Sequence, residues 1–451
     1  MKNFTLIFII LILASCSFDN KTGIWQDASN TPLEKNTTKS IDGNNSKNRY
    51  ENIFTKNETY NEEKVSLNNF TLKLDNPIIT KNWTQQYGSK TNNISNYSYT
   101  GYRNLVSTSP KLNKNSENKN IVFYKNNLVT YDHKGKIFIY STDLKKKIFK
   151  YDFYKKKYRN FKKEIYLAVN NNILIAADNL GYVYAIDLNT KVLIWAKNYG
   201  IPFRSNIKVA DKQILLANQD NVIYSLELVS GEKNWQYSTG LTFLKSDFIN
   251  NFTIDEFNKN LFFLNTSGEF YSINYSNKNI NWVLNFRNPF LAGDTDLFLS
   301  QPVVQKNNIL IISTEKAILG YDTMSGEKKW NFLSNASTKP VLTTNFTYII
   351  SKNNLLICLE NKTGNVLWSK NIYKNLIPKI IKKIGELHDF KIVNNELTIY
   401  TKKGYLLTYE HKNGNFIETK KISKNGINSE VIFLNEDMFL IDNKSKLLKF
   451  N

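Results

Sequence analysis

From about residue 120 onward the chain alternates apolar and polar positions in short runs separated by turn residues. Ile173 to Asp178 and Tyr182 to Asp187 are two such runs, joined by Asn179-Leu180-Gly181. Residues 308–313 followed by 317–322 repeat the form. A period of two with turn residues at hairpin spacing predicts paired β-strands. Upstream of each pair lies a further short apolar run, as in Pro302-Val303-Val304 and Pro340-Val341-Leu342, and downstream lies a segment centred on Trp. Four antiparallel strands per unit make a propeller blade.

The units share a frame. In the segments ending at Trp195, Trp235, Trp282, Trp330 and Trp368 an Asp, Glu or Asn stands eight positions before the Trp. Three carry Gly four positions before it: Gly231, Gly326 and Gly364. Ser141 to Phe149 and Glu410 through Gly414 to Glu418 are degenerate copies. Such a frame has structural roles: the acidic or amide side chain accepts turn amides, Gly supplies positive φ, and the indole buries a large face between blades. The run from Leu440 to Asn451 matches Ala176 to Asp187 in frame and ends where a Trp strand should follow. Asn82-Trp83-Thr84-Gln85-Gln86-Tyr87-Gly88 has the Trp-x4-Gly form of Trp195 to Gly200 and Trp235 to Gly240, so Trp83 is assigned to the missing outer strand. The expected fold is all-β, an eight-bladed propeller over residues 76–451 with its last blade closed by an N-terminal strand. That is about 47 residues per blade, near the ~40–45 of other propeller repeats.

The N-terminus carries a different signal. Met1-Lys2-Asn3 precedes an apolar run, Phe4 to Leu13, too short to span a bilayer of roughly 30 Å. Leu13-Ala14-Ser15-Cys16 then resembles a bacterial lipobox, which implies a signal peptide over 1–15 and lipidation of Cys16. Stable anchoring takes more than one acyl chain at ~0.8 kcal/mol per buried CH₂, and a lipoprotein carries two or three. With Ser17 rather than Asp at the next position, the lipobox resemblance implies the periplasmic face of the outer membrane. Residues 16–75 are polar and aperiodic apart from Trp25, and read as a lipidated flexible tether.

Composition narrows the chemistry. With 2 Cys and 3 His, no disulfide scaffold, zinc ribbon or multi-histidine centre is available, so no metal and no cofactor are expected. Cys358, in Leu355-Leu356-Ile357-Cys358-Leu359, reads as a small buried thiol in a strand. His133, His388 and His411 fall on turns or loops at unrelated spacing. The net charge of +21 arises from 60 basic residues, of which only five are Arg, beside 66 Asn. Lys, Asn, Ile, Tyr and Phe share AT-rich codons, so the excess reflects nucleotide bias, and no nucleic-acid partner is expected. One basic cluster, Lys145 to Lys163 with Tyr151, Phe153, Tyr154, Tyr158 and Phe161 interleaved, fits either an anionic headgroup or acidic partner, or a plain lysine-rich connector.

The Asp/Glu-x3-Gly-x3-Trp frame resembles that of the PQQ-like, tryptophan-docking propellers, and eight such blades behind a lipobox resemble the BamB family of outer-membrane assembly lipoproteins. The resemblance implies a non-catalytic scaffold that docks on periplasmic domains of a BamA-like barrel-assembly protein and assists insertion of unfolded outer-membrane proteins. Quinoprotein dehydrogenases use the same propeller, but resemble one another in an adjacent Cys pair over the quinone and a Glu/Asn/Asp set on Ca²⁺. The mature chain has one Cys, and the acidic residues Asp187, Glu227, Asp322, Glu360 and Glu410 occupy repeated turns rather than one site. A periplasmic adaptor or sensor that binds a glycan, lipid or peptide stays open as an alternative.

Blade-to-blade connectors emerge on one propeller face, and departures from the repeat are where partners bind. Ile201-Pro202-Phe203-Arg204-Ser205-Asn206 resembles the Arg-Ser segment that opens a blade in the BamB family, and Leu291-Ala292-Gly293-Asp294-Thr295-Asp296 resembles its acidic interblade loop. The resemblance nominates Phe203, Arg204, Asp294 and Asp296 as partner-binding residues.

Overall fold

The computed structural model describes residues 16–18, 25–27, 59–65, 72–113, 120–158, 160–240, 251–286 and 298–451. The chain divides into two units, 1–56 and 57–451. In the first, Cys16–Phe18 pairs antiparallel with Trp25–Asp27. The expected signal peptide, residues 1–15, lies outside the described residues.

The second unit is built from eight four-stranded antiparallel sheets. Blades 1 to 7 span 122–151, 165–198, 208–238, 251–285, 304–332, 341–371 and 387–421, each running from inner to outer strand in chain order. Successive inner strands lie side by side. Both faces of each blade are covered by neighbours, which is why the second and third strands read as nearly unbroken apolar runs, as in Ile173–Asp178 and Tyr182–Asp187. Outer strands meet solvent on one face: in Leu193–Asn198 only Trp195 is buried. Among the described residues one α-helix occurs, Pro378–Ile384, in the connector from blade 6 to blade 7. His388, expected on a loop, sits in the inner strand of blade 7, Leu387–Val393.

The repeated frame carries blade-to-blade packing. Asp187 Oδ1 accepts the amides of Asn189 and Thr190 at 2.7 and 2.9 Å, and Asp322 Oδ1 those of Met324 and Ser325 at 2.9 and 3.1 Å. These bonds hold the turn so that its fifth residue takes positive φ, as at Gly326 (72°). The turn then receives the indole of the preceding blade. Trp195 Nε1 donates to Leu228 O at 3.0 Å, Trp282 to Thr323 O at 3.2 Å, Trp330 to Asn361 O at 2.8 Å and Trp368 to His411 O at 3.2 Å. A Cβ on Gly326 would stand 2.7 Å from the Trp282 ring, so Gly is required both for φ and for contact. Trp235, in the same position on blade 3, packs with Phe252, Ile254 and Tyr271 of blade 4.

Closure of the ring departs from expectation. Blade 8 consists of Ile432–Leu434, Asp437–Ile441 and Leu447–Phe450, and its outer strand does come from the N-terminal side. That strand is Leu105–Thr108, not the Trp83 segment. Trp83 instead bridges Phe123 on the inner strand of blade 1. Its indole is fully buried, and it lies against its own Gly88, at which a Cβ would fall 2.5 Å from the ring. The Trp-x4-Gly likeness thus has a different cause here, a loop folded on itself. Spacing separates the cases: Trp195 precedes the next inner strand by 13 positions and Trp330 by 11, whereas Trp83 precedes Val122 by 39.

The stretch read as a flexible tether is also in part folded onto the blades. Lys64 and Ser369 exchange backbone hydrogen bonds at 3.1 and 2.9 Å, which adds a short piece of chain to the outer edge of blade 6. Tyr60 packs on Phe332 at 5.1 Å between ring centroids, and Leu72 and Leu74 are buried in the core shared by blades 6 and 7. Sparse apolar residues in a polar background suffice because the grooves between blades are already formed.

Trp330→Ala removes an indole that bridges blades 5 and 6 and leaves the Asn361 carbonyl without its donor. A loss of about 3–5 kcal/mol is expected in urea unfolding; a loss below about 1 kcal/mol would show that the indole does not cement the junction.

Candidate functional site

The axis of a propeller is where a channel would lie. In this chain residues 80–97 occupy it and touch the inner strand of every blade in order. Thr80 O accepts from Asn435 N of blade 8 at 2.8 Å, and its hydroxyl donates to Phe433 O. Trp83 and Phe123 of blade 1 exchange two backbone bonds at 2.8 Å, and Thr84 O accepts from Val169 N of blade 2 at 2.7 Å. Lys208 of blade 3 donates to Ser89 O and Asn92 Oδ1 at 2.8 and 2.7 Å. Lys90 O and Thr91 O accept from Ile254 N of blade 4 and Gln305 N of blade 5 at 3.0 and 3.1 Å. Asn93 makes a two-way amide pair with Leu342 of blade 6 at 2.8 and 3.0 Å. Tyr97 pairs with Ile392 and Asn394 of blade 7, each at 2.9 Å. At the base Ile78 N donates to Asn96 O at 3.0 Å and Ser98 N to Ile78 O at 2.9 Å, which closes the loop.

The residue types follow from the task. Inner strands present backbone groups toward the axis, and buried backbone groups must be paired. Asn, with two donors and an acceptor on a short stem, pairs several at once. Asn92 Nδ2 reaches Phe252 O at 2.6 Å and Val303 O at 2.9 Å while its Oδ1 takes the Lys208 ammonium.

A charged cluster packs against this loop. Lys391 Nζ lies 3.1 Å from Asp389 Oδ2 and 3.4 Å from Glu430 Oε1, and 5.4 Å above the Trp83 ring. Burial pulls the Lys391 ammonium down, but Asp389, Tyr97 and Glu430 outweigh it and hold it above the ordinary lysine range. Burial pushes the Glu430 carboxyl up against the pull of Lys391, and lowers Lys208 well below the usual range. Lys339, 6.0 Å from the Tyr87 ring centroid, is pulled down to about 8 by burial and by Lys391. Within the cluster Lys391 is neutralised by two carboxylates, while Lys208 is held by neutral oxygens of the loop.

The nominated partner-binding residues are placed differently from expectation. Phe203 is 0% exposed, its ring edge-on to Tyr199 and Tyr224 at 5.8 Å each. Arg204 is 7% exposed, with Nη1 2.8 Å from Glu164 Oε2. Both sit inside the connector rather than on its surface, because an apolar ring and an Arg paired across 40 residues of sequence complete the wall between blades 2 and 3. Asp294 and Asp296 lie outside the described residues. In the basic run, Phe153 stacks on Tyr184 at 4.3 Å, Tyr154 is buried and bonded to Asp178, and Lys163 is buried beneath Tyr154. Phe153 and Tyr154 face inward, whereas Phe161 is 57% exposed and faces solvent with Lys155, Lys156 and Lys162. Cys358 is buried opposite Trp368, and burial pushes its thiol well above the usual range.

A quinone cofactor does not fit this axis. The loop fills it, the adjacent Cys pair is missing from the sequence, and among the described residues no three His, Cys, Asp or Glu side chains converge as metal ligands.

Comparison with known proteins agrees with the geometry. A family model described as outer membrane protein assembly factor BamB matches residues 121–370, more than half of the chain. The chain belongs to the BamB family. No curated protein matches it significantly. Among solved structures, BamB from Moraxella catarrhalis superposes with a TM-score of 0.61 at 12% identity, covering 77% of this chain and 99% of that one. Quinohemoprotein alcohol dehydrogenase from Comamonas testosteroni gives 0.58 at 8%, covering 82% and 80%. A europium-containing methanol dehydrogenase gives 0.59 at 10%, covering 80% and 89%. At these identities the likeness shows the shared propeller.

Burial of Lys339 makes the stability of the fold depend on pH. The folded pKa of Lys339, about 8, lies below its unfolded one, so between about pH 8 and 10.5 the unfolded chain binds more protons and stability rises with pH. Below pH 8 the penalty is present in full. Relative to Lys339→Met, the wild-type protein should gain roughly 1–3 kcal/mol between pH 8 and 10 in paired thermal melts. Parallel pH profiles for the two proteins would contradict this.

Proposed function

We propose that the protein is a non-catalytic, lipid-anchored scaffold at the periplasmic face of the outer membrane. It docks on the periplasmic domains of a BamA-like barrel-assembly protein and assists insertion of unfolded outer-membrane proteins. The family match supports the assembly role, and the axial loop carries the scaffold reading. A propeller enzyme needs a cavity that admits substrate and cofactor, whereas here the axis is taken by residues 80–97. Propeller surfaces, not the channel, are then left to do the work. The lipobox at Leu13-Ala14-Ser15-Cys16 supports the anchor, and two or three acyl chains at ~0.8 kcal/mol per CH₂ hold a protein at the bilayer.

With Phe203 and Arg204 buried, the acidic loop that includes Asp294 and Asp296 becomes the first candidate for contact. Rim charges act mainly through encounter rate and salt dependence. The test is capture of the full chain on immobilised periplasmic domains of the BamA-like protein from the same cell. Wild type should be captured, and the double variant Asp294→Lys/Asp296→Lys should be retained at least about tenfold less, a change near 1.4 kcal/mol. No capture of wild type would overturn the scaffold reading in favour of a glycan-, lipid- or peptide-binding adaptor. Equal capture of both proteins would remove the acidic pair from the interface.

A further inference from the structure

Seven blade junctions are closed by a side chain at one recurring position of the outer strand. In blades 1 to 7 the third and outer strands share a register shift, and the outer residue just beyond it is the docking residue. Its partners are Ile139 with Phe149, Ala185 with Trp195, Ser225 with Trp235, Ser272 with Trp282, Gly320 with Trp330, Cys358 with Trp368 and Thr408 with Glu418. Where Glu418 replaces the aromatic, Arg103 closes the junction by pairing with both Glu418 and Glu396, the latter at 3.0 Å.

Blade 8 shows the same shift between Leu105, opposite Phe450, and Ser107, opposite Lys449. The docking position is therefore held by Ser107, which cannot reach the next blade. Facing it, blade 1 keeps the backbone of the receiving turn but carries Lys145 at the Gly position, as blade 4 carries Lys278 opposite Trp235. Ser141 stands in the acidic frame position, Thr142 N donates to Asn126 O at 3.0 Å as Leu228 N does to Lys212 O at 2.9 Å, and Lys145 takes positive φ (53°) where Gly231 has 68°. Thr142 is thus the counterpart of Leu228, Thr323, Asn361 and His411, whose carbonyls each accept an indole N–H beside a Gly, and of Tyr275, whose Lys278-bearing turn faces the Trp235 ring without bonding its N–H.

A cavity of about 110 Å³ opens at this place, lined by Phe123 and Phe439, by Thr142, Asp143 and Asn435, and by the Lys449–Asp437 ion pair at 2.8 Å. Where Phe149 stands in for Trp, a smaller cavity of about 60 Å³ lies at the frame-equivalent turn residues Leu188 and Asn189. Shrinking or deleting the docking side chain therefore leaves a void of corresponding size. Its lining is mixed rather than apolar, with the Lys449 ammonium 5.8 Å from the Phe439 ring centroid, and its volume admits only part of a ring, so an amphipathic aromatic would enter with an edge left at the surface. Beside it Tyr102, Leu105 and Val106 are 71%, 54% and 52% exposed, an apolar margin along an outer strand whose far edge no other strand pairs among the described residues.

We propose that the junction between blades 8 and 1 is an open docking socket for an aromatic side chain, Trp by preference, presented by an extended segment of a partner polypeptide. The ring takes the place of the missing eighth docking residue, packed over the Lys145 turn as Trp235 is beside the Lys278 turn, with the flanking backbone laid along Leu105–Thr108. Edge addition of this kind already occurs within the chain, where residues around Lys64 pair with Ser369 at the outer edge of blade 6. The inference does not rest on the barrel-assembly reading.

The probe is the chain's own docking strand as a synthetic peptide, Leu-Ile-Trp-Ala-Lys-Asn-Tyr-Gly from residues 193–200, titrated into the intact protein and followed by amide chemical shifts. Saturable shifts should centre on Thr142, Asp143 and Phe439. Replacing Trp by Ser in the peptide should weaken binding by about tenfold or more. Ser107→Trp fills the socket in cis and should abolish binding. Asp143→Arg, a change at the exposed rim, should weaken it as well and serves if Ser107→Trp fails to fold. Absence of saturable binding, equal binding of both peptides, or unchanged binding by a folded socket variant would each overturn the proposal.

Discussion

The structure depends on hydrogen bonding between one N-terminal loop and the inner strands of all eight blades. A closed ring of sheets leaves the axial edge of every inner strand with backbone groups that no other strand reaches, and burying them unpaired costs roughly 1–3 kcal/mol each. Residues 80–97 supply the partners from a single piece of chain, blade by blade. The same segment continues into Leu105–Thr108, the outer strand of blade 8. The N-terminal region therefore fastens the ring twice, once at its centre and once at its rim. A repeat array has ends that need protection, and here one stretch of chain protects both the axial and the peripheral edge.

Filling the axis has a cost that the cluster around Lys391 makes visible. Charged side chains there lie in a low-dielectric interior, and each is held by an opposite charge, a loop carbonyl or a ring face. A buried pair contributes little net stability, but losing one partner is strongly destabilising. Such a core tolerates its native arrangement and few others, which suits a rigid body that presents surfaces rather than a site that opens. The unequal junctions carry the rest of the individuality: five indoles, one Phe, one ion pair to Arg103, and one position, Ser107, with nothing to dock.

Much of this was legible in the sequence because propeller repeats are periodic. Strand alternation, the acidic or amide turn residue and the recurring Trp sufficed for eight four-stranded blades and for closure by an N-terminal strand. What escaped is what does not repeat. The axial loop is rich in Asn, Ser and Thr and has no period, so its role emerges only when eight inner strands surround it. Trp83 carried a misleading likeness, since its Gly88 serves the loop and not a neighbouring blade; the long gap to Val122 was the signal that could have corrected it. Arg204 looked like a surface anchor because its partner, Glu164, lies 40 positions away and meets it only across a blade junction. Ser107 carried no signal of its own, and its meaning depends on the register that places it opposite Lys449.

Hydrogen exchange of the intact protein, resolved to single amides, tests the account most directly. The amides of Trp83 and Tyr97, which donate to Phe123 O and Ile392 O, and those of Val169, Ile254, Gln305 and Asn435, which donate to the loop, are predicted to exchange as slowly as the central strands of the blades. Rapid exchange across residues 80–97 with slow exchange in the blades would mean that the axis is open and that the ring stands without its loop.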